Sequence, residues 1–248
     1  MLQETAYGWK YIMRRPGLAA LMLLFALSSF TTEMTVVLFT PLILSFGNTA
    51  QLGLAMSLCA SGFLAGGLLM SIWGGPKRRL RAVIIFMILL GVFSTLIGLR
   101  ASVGLIVISG FLATLCVPII SSSNQVIWQK KVAADVQGRV FAIRRAITLA
   151  TPLLTYVLAG PLSDRVFEPL MAVNGPLAGS IGQLLGTGPG RGIGLLFVSM
   201  GLLLVLITAV SSLSPHLRRV EEELPEALDS QPVRMESGGR LPLPAAGD

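Results

Sequence analysis

The stretch "GGLLMSIWGGPKRRLR", residues 66–81, decides how the chain is read. An apolar run ends at Gly74, Gly75 and Pro76, residues that stop a helix and turn the chain tightly. Lys77, Arg78, Arg79 and Arg81 follow at once, and from residue 82 the sequence is apolar again. Two apolar helices joined by a short cationic turn form the pattern of two membrane spans connected on the side where Lys and Arg collect.

The composition agrees. Of 248 residues 53% are hydrophobic and 12% charged, and the mean hydropathy is +0.77. Soluble domains carry about 25% charged residues. Crossing a hydrocarbon core of roughly 30 Å takes about 20 apolar residues in a helix. Residues 17–46, 50–74, 82–99, 103–127, 142–162 and 192–213 qualify, with Pro118 and Pro152 expected to interrupt two of them. The fold class is therefore all-α: a polytopic membrane protein with six transmembrane helices. The first run follows Arg14 and Arg15 and is too long for a signal-peptide core, so it is expected to remain in the mature chain.

A net charge of +7 and a pI near 10.1 would suit nucleic acid, but the basic residues flank the spans instead. Lys10, Arg14 and Arg15 precede the first; Lys77, Arg78, Arg79 and Arg81 join the second to the third. Lys130, Lys131, Arg139, Arg144 and Arg145 join the fourth to the fifth, and Arg218 and Arg219 follow the sixth. The other side holds only Arg100, Arg165 and Arg191. The positive-inside rule then puts both termini in the cytoplasm of a multi-pass cell-membrane protein, with the lipid bilayer as its first partner and no role for nucleic acid. Cys59 and Cys116 fall within spans and read as small packing residues.

Three segments follow. Residues 1–16, with Trp9, Tyr11, Ile12 and Met13 among Lys10, Arg14 and Arg15, suit an amphipathic linker helix in the cytoplasmic interface. Residues 17–214 make the six-helix bundle, and residues 215–248, rich in Pro, Gly and Glu, read as a disordered cytoplasmic tail. The longest connection, 165–191, has glycines at 186, 188, 190, 192 and 194 with no preceding strand, so it reads as a flexible outer loop and not as a nucleotide-binding motif. In the second span Gly53, Ser57, Ser61 and Ala65 recur at helical spacing beside Gly62 and Gly66, a pattern that permits close helix packing.

No residue pattern points to catalysis or to a cofactor. His216 is the only histidine and has no neighbouring Cys or His to share a metal, and no nucleophile elbow is present. Asp164 and Arg165 at the outer end of the fifth span read as a helix-end pair. The polar residue that stands out is Glu33, in "SSFTTEMTVVLF", residues 28–39, about 25 Å along the first helix from Pro16. An ionised carboxylate at that depth costs about 2.5–3.5 kcal/mol, so it is expected to face the bundle interior or a wet cavity. Two readings stay open: a proton-coupling site, or a structural group paired with Thr31, Thr32 or a neighbouring helix. Thr31, Thr32, Asn124 and Gln125 are the candidates for lining a cavity.

The turn at 66–81 resembles the signature loop of the major facilitator superfamily, in which glycines, a short polar residue, a tight turn and a basic cluster join the second and third helices of each half. Gly67, Ser71, Gly74, Gly75, Lys77, Arg78 and Arg79 occupy those roles, and the family's aspartate is absent, with Ser71 or a neighbour in its place. "SSSNQVIWQKKVAADVQGRVFAIRRA", residues 121–146, resembles the second cytoplasmic loop of the second half in the macrolide-efflux type branch, with Gln137, Gly138 and Arg139 in its core. "AGPLSDRVFEPL", residues 159–170, resembles the outer end of that branch's eleventh helix.

The resemblance implies the C-terminal six-helix half of an efflux permease. It implies export of an amphipathic, drug-like or macrolide-like small molecule by proton-coupled alternating access, with Glu33 as the coupling residue and the Gly67–Arg79 loop as a conformational latch. It also implies a partner, either an N-terminal six-helix half or a second copy of this chain. The rival expectation is a six-helix scaffold or assembly subunit without transport activity, or an inactive transporter fragment.

Overall fold

The computed structural model describes residues 11–132 and 134–213. Within them six helices are long and apolar enough to cross a membrane, and no strand occurs. They are α1 (Pro16–Leu44), α2 (Thr49–Trp73), α3 (Arg79–Leu99), α4 (Val103–Lys131), α5 (Ala134–Leu162) and α8 (Arg191–Leu213). A wider, π-helical turn at Ser163–Phe167 carries α5 on into the short α6 (Glu168–Met171), and α7 (Gly182–Leu185) lies in the loop that follows.

Local chemistry sets the ends. Pro16 opens α1 at the position where its missing N–H is not needed. Asn48 and Gln51 cap α2 reciprocally: the Gln51 N–H donates to Asn48 Oδ1 at 2.9 Å and the Asn48 N–H to Gln51 Oε1 at 3.1 Å. Gly74, at φ +70°, ends α2 in the left-handed conformation and its N–H donates to the Met70 carbonyl. The tight turn expected at Gly74–Pro76 is present.

Other expectations need correction. Pro118 and Pro152 do not interrupt their helices, since α4 and α5 run through both. In a membrane the alternative to a continuous helix is several unpaired backbone groups, against which one lost hydrogen bond is small. Gln137, Gly138 and Arg139 do not form a loop, because α5 begins at Ala134 and not near 142, soon after α4 ends at Lys131. Gln137 accounts for the early start: its side-chain amide donates at 3.0 Å to the carbonyls of Gln129 and Val132 and so closes the end of α4. Ile12, expected in an interfacial linker, is fully buried in the core. Residues 1–10 and the expected tail, 215–248, lie outside the described residues.

Glycines fix the crossings. A Cβ on Gly62 would strike the Phe111 carbonyl oxygen and one on Gly66 that of Leu115, so α2 and α4 pack backbone to backbone and run parallel. Gly91 meets Gly201 and Gly98 meets Gly194 in the same way, with α3 and α8 antiparallel. Up-and-down alternation follows, and one end of the bundle, called here the basic end, gathers the start of α1 and the α2–α3 and α4–α5 turns.

Around the bundle α4 touches α2 and α3, α3 touches α8, α8 touches α1, and α1 touches α5. This leaves α2 and α5 at the margins. Only 17% and 22% of their most apolar stretches are buried, against 39–44% for the other four spans. One apolar cluster, including Leu18, Leu21, Val83, Trp128 and Val140, fills the basic end, and another around Met34, Ile43, Ile106 and Phe197 fills the opposite end.

Candidate functional site

Among the described residues, the openings that penetrate the bundle include a larger and a smaller one. The larger, of about 250 Å³, lies at mid-depth, where α1 contributes Thr32, Thr35, Val36 and Phe39, α2 Met56 and Cys59, and α4 Thr114 and Val117. Ser94, Ile97 and Phe197 close its far wall. Its threonine hydroxyls are spent on backbone: Thr32 donates to the Ser28 carbonyl at 2.8 Å, Thr35 to the Thr32 carbonyl at 2.7 Å, and Thr114 across helices to the Cys59 carbonyl at 2.6 Å. What remains is an apolar recess with a few dipoles, suited to an amphipathic fragment.

The second opening, of about 70 Å³, lies toward the basic end between α1, α4 and α5, lined by Met22, Phe25, Ser29, Asn124, Trp128 and Arg144 among others. Arg144 stands ten residues into α5, about 15 Å from the helix start. Its guanidinium lies over the Trp128 ring at 4.6 Å and the Phe141 ring at 5.3 Å, and Nη1 reaches Gln125 Oε1 only at 3.5 Å. Cation–π contacts are worth about 0.5–2 kcal/mol each. The rings and Gln125 leave its positive charge without a counter-charge among the described residues. Trp128 and Asn124 line the same cavity, and Trp128 Nε1 and Asn124 Oδ1 are buried without a hydrogen-bond partner.

The residues singled out from sequence are distributed unevenly over these openings. Thr32 lines the mid-depth recess and Asn124 the basic-end cavity. Thr31 is buried beside the recess and donates to the Ser28 carbonyl at 2.9 Å. Gln125 is exposed but within reach of Arg144. Glu33 is half-buried on α1 and is not part of either lining. Because Thr31 and Thr32 both give their protons to Ser28, neither pairs with Glu33.

In the turn between α2 and α3, Ser71, Lys77 and Arg78 are exposed and Arg79 starts α3. Gly74 and Gly75 both have positive φ, 70° and 87°. Gly67 faces open space, unlike its neighbour Gly66. Gly138 and Arg139 are exposed on the first turns of α5.

Two features escaped sequence reasoning. Arg144 sits in a run with Arg139 and Arg145 and passes for a loop cation; Phe141, three residues before it, was the only local signal of its burial, and the Trp128 contact comes from α4. The glycine-rich segment before α8 is more than a flexible loop. Gly190 and Gly192 are buried, Cβ atoms there would strike Ser45 and Glu168, and buried Arg191 donates to the Leu185 carbonyl at 2.9 Å.

Comparison with known proteins places the chain beside efflux proteins. It is 26% identical over 170 residues to macrolide efflux protein A of Streptococcus pyogenes, a stretch covering 66% of this chain and 42% of that protein. It is 27% identical over 157 residues to macrolide efflux protein A of Enterococcus faecalis, covering 61% of this chain and 49% of that protein. The chain thus matches less than half the length of these curated relatives. No family model matches, and no solved structure matches.

Proposed function

We propose that the chain is one six-helix half of a major facilitator efflux transporter. Joined to a second half, it exports an amphipathic small molecule of macrolide or similar drug-like character across the cell membrane. The observation that carries the reading is the pair of marginal helices, α2 and α5, with 17% and 22% of their apolar stretches buried. The uncovered face of α2 presents Gly53, Ser57 and Ser61, small residues over which another helix can approach closely. An N-terminal six-helix half, or a second copy of this chain, covers these faces, and the greater length of the relatives is in keeping with the former. The relatives' names supply the substrate class.

In this reading both termini are cytoplasmic, the substrate occupies the mid-depth recess, and the halves rock about it. Gly67, Ser71, Gly74, Gly75, Lys77, Arg78 and Arg79 form the latch at the cytoplasmic face. Two left-handed glycines make that turn compact, and the cations meet the opposing half in one state only. Glu33 carries the coupled proton: protonation removes a charge that is costly at that depth, so the two protonation states favour different arrangements of α1.

The test is co-expression with a six-helix partner, and separately expression of this chain alone, with efflux of a labelled macrolide measured with and without an uncoupler. Uncoupler-sensitive efflux is expected with a partner half or with self-assembled copies. Its absence in both arms replaces this reading by a non-transporting membrane scaffold. Glu33→Gln is expected to abolish uphill efflux while leaving downhill exchange intact, and unchanged pH-driven efflux in that variant overturns the coupling role.

A further inference from the structure

The cavity between α1, α4 and α5 has an excess of hydrogen-bond donors. Arg144 brings five N–H groups and a positive charge, and in the described residues its contacts are two aromatic faces and one long amide contact. Trp128 is 1% exposed, and its Nε1–H, which can only donate, has no acceptor. Asn124 is 9% exposed, and its amide oxygen also lacks a partner. All three side chains line the same cavity of about 70 Å³, several times the roughly 10–15 Å³ that one water needs. Water would satisfy the dipoles but leave the cation without a counter-charge. An oxyanion supplies the counter-charge and an acceptor for the Trp128 Nε1–H, because charge-assisted bonds from a guanidinium to a carboxylate or phosphate are the strongest this donor set can make.

We propose that this cavity is an oxyanion site that takes a carboxylate or phosphate group, with the Arg144 guanidinium as its charge, Trp128 Nε1–H as its neutral donor and Asn124 on its wall. The assignment concerns the six-helix chain itself and stands whether or not the chain transports. The shared chemistry has two sources, the headgroup of an anionic lipid reaching in between α1 and α5, or a free anion from the aqueous side. Gln125 and Thr148, both exposed, lie beside the site, Gln125 next to Arg144 and Thr148 on the cavity wall, and leave it a polar approach.

Trp128 is itself the reporter. Of the three tryptophans, Trp9 and Trp73 are replaced by Phe, leaving Trp128 as the sole emitter in the full chain. The protein is held in dodecyl maltoside, which has neither phosphate nor charge. It is titrated with phosphatidylglycerol in one arm and with inorganic phosphate or acetate in the other, against chloride at matched ionic strength. Thermal midpoints are recorded in parallel, because a ligand that binds the folded state raises them.

A saturable change in Trp128 emission with a raised midpoint is expected. Response to phosphatidylglycerol alone identifies a lipid headgroup, and response to the free anions identifies a solute. Arg144→Gln should weaken the response at least about tenfold. Asn124→Asp, which puts the chain's own carboxylate into the cavity, should do the same while circular dichroism shows the fold retained. No saturable response to any probe, or an undiminished response in folded Asn124→Asp, overturns the assignment.

Discussion

Trp128 is among the largest side chains that are fully buried, and it joins the end of α4 to Arg144 on α5. Truncation to Ala removes that contact and leaves a cavity, at a cost of about 3–5 kcal/mol. A clear fall in the thermal midpoint in detergent is the expected result. Trp128→Phe keeps most of the ring and loses the Nε1–H, so it should retain most of the stability yet bind oxyanions more weakly, which separates packing from recognition. Glu33 is the converse case: a charge with no hydrogen-bond partner among its neighbouring threonines, whose substitution to Gln should be mild for folding and is read in transport.

Among elements, the crossing of α3 with α8 depends on absent side chains. A Cβ at Gly98 would strike the Gly194 carbonyl oxygen, whereas one at Gly53 on α2 meets nothing within 4 Å. Gly98→Val should therefore lower the thermal midpoint by several degrees, the response to about 1–3 kcal/mol of overpacking, and Gly53→Ala should leave it unchanged. If the two variants behave alike, the α3–α8 crossing is not set by glycine contact. At the start of α2, Asn48→Ala removes the reciprocal cap with Gln51 and should cost about 1 kcal/mol.

For the whole molecule, the charge asymmetry predicts orientation. With Cys59 and Cys116 changed to Ser, a single cysteine at Lys77 should react with a membrane-impermeant maleimide only after permeabilisation. One at Thr187, in the outer loop, should react in intact cells. The opposite pattern reverses the proposed topology. The bare margins at α2 and α5 predict a partner surface, and cysteines at Leu58 and Leu154, both exposed, should cross-link to the covering half and not to each other within one chain.

Six apolar runs, the cationic turns between them and the stop at Gly74–Pro76 could be read without coordinates. Lipid enforces a minimum span length, and each end must return to polar surroundings. Even there the boundaries slipped: α5 begins at Ala134 because Gln137 closes α4, a side chain-to-carbonyl contact that hydropathy does not register. The faces of the helices were not legible, since lipid and protein interior are equally apolar and no amphipathic contrast marks the inward side. Only packing showed that Gly62 meets a backbone while Gly67 meets nothing, and that Glu33 lines neither opening. Packing also placed Arg144, in sequence one cation of a loop, over Trp128 in a cavity that Asn124 also lines and that has room for a counter-charge.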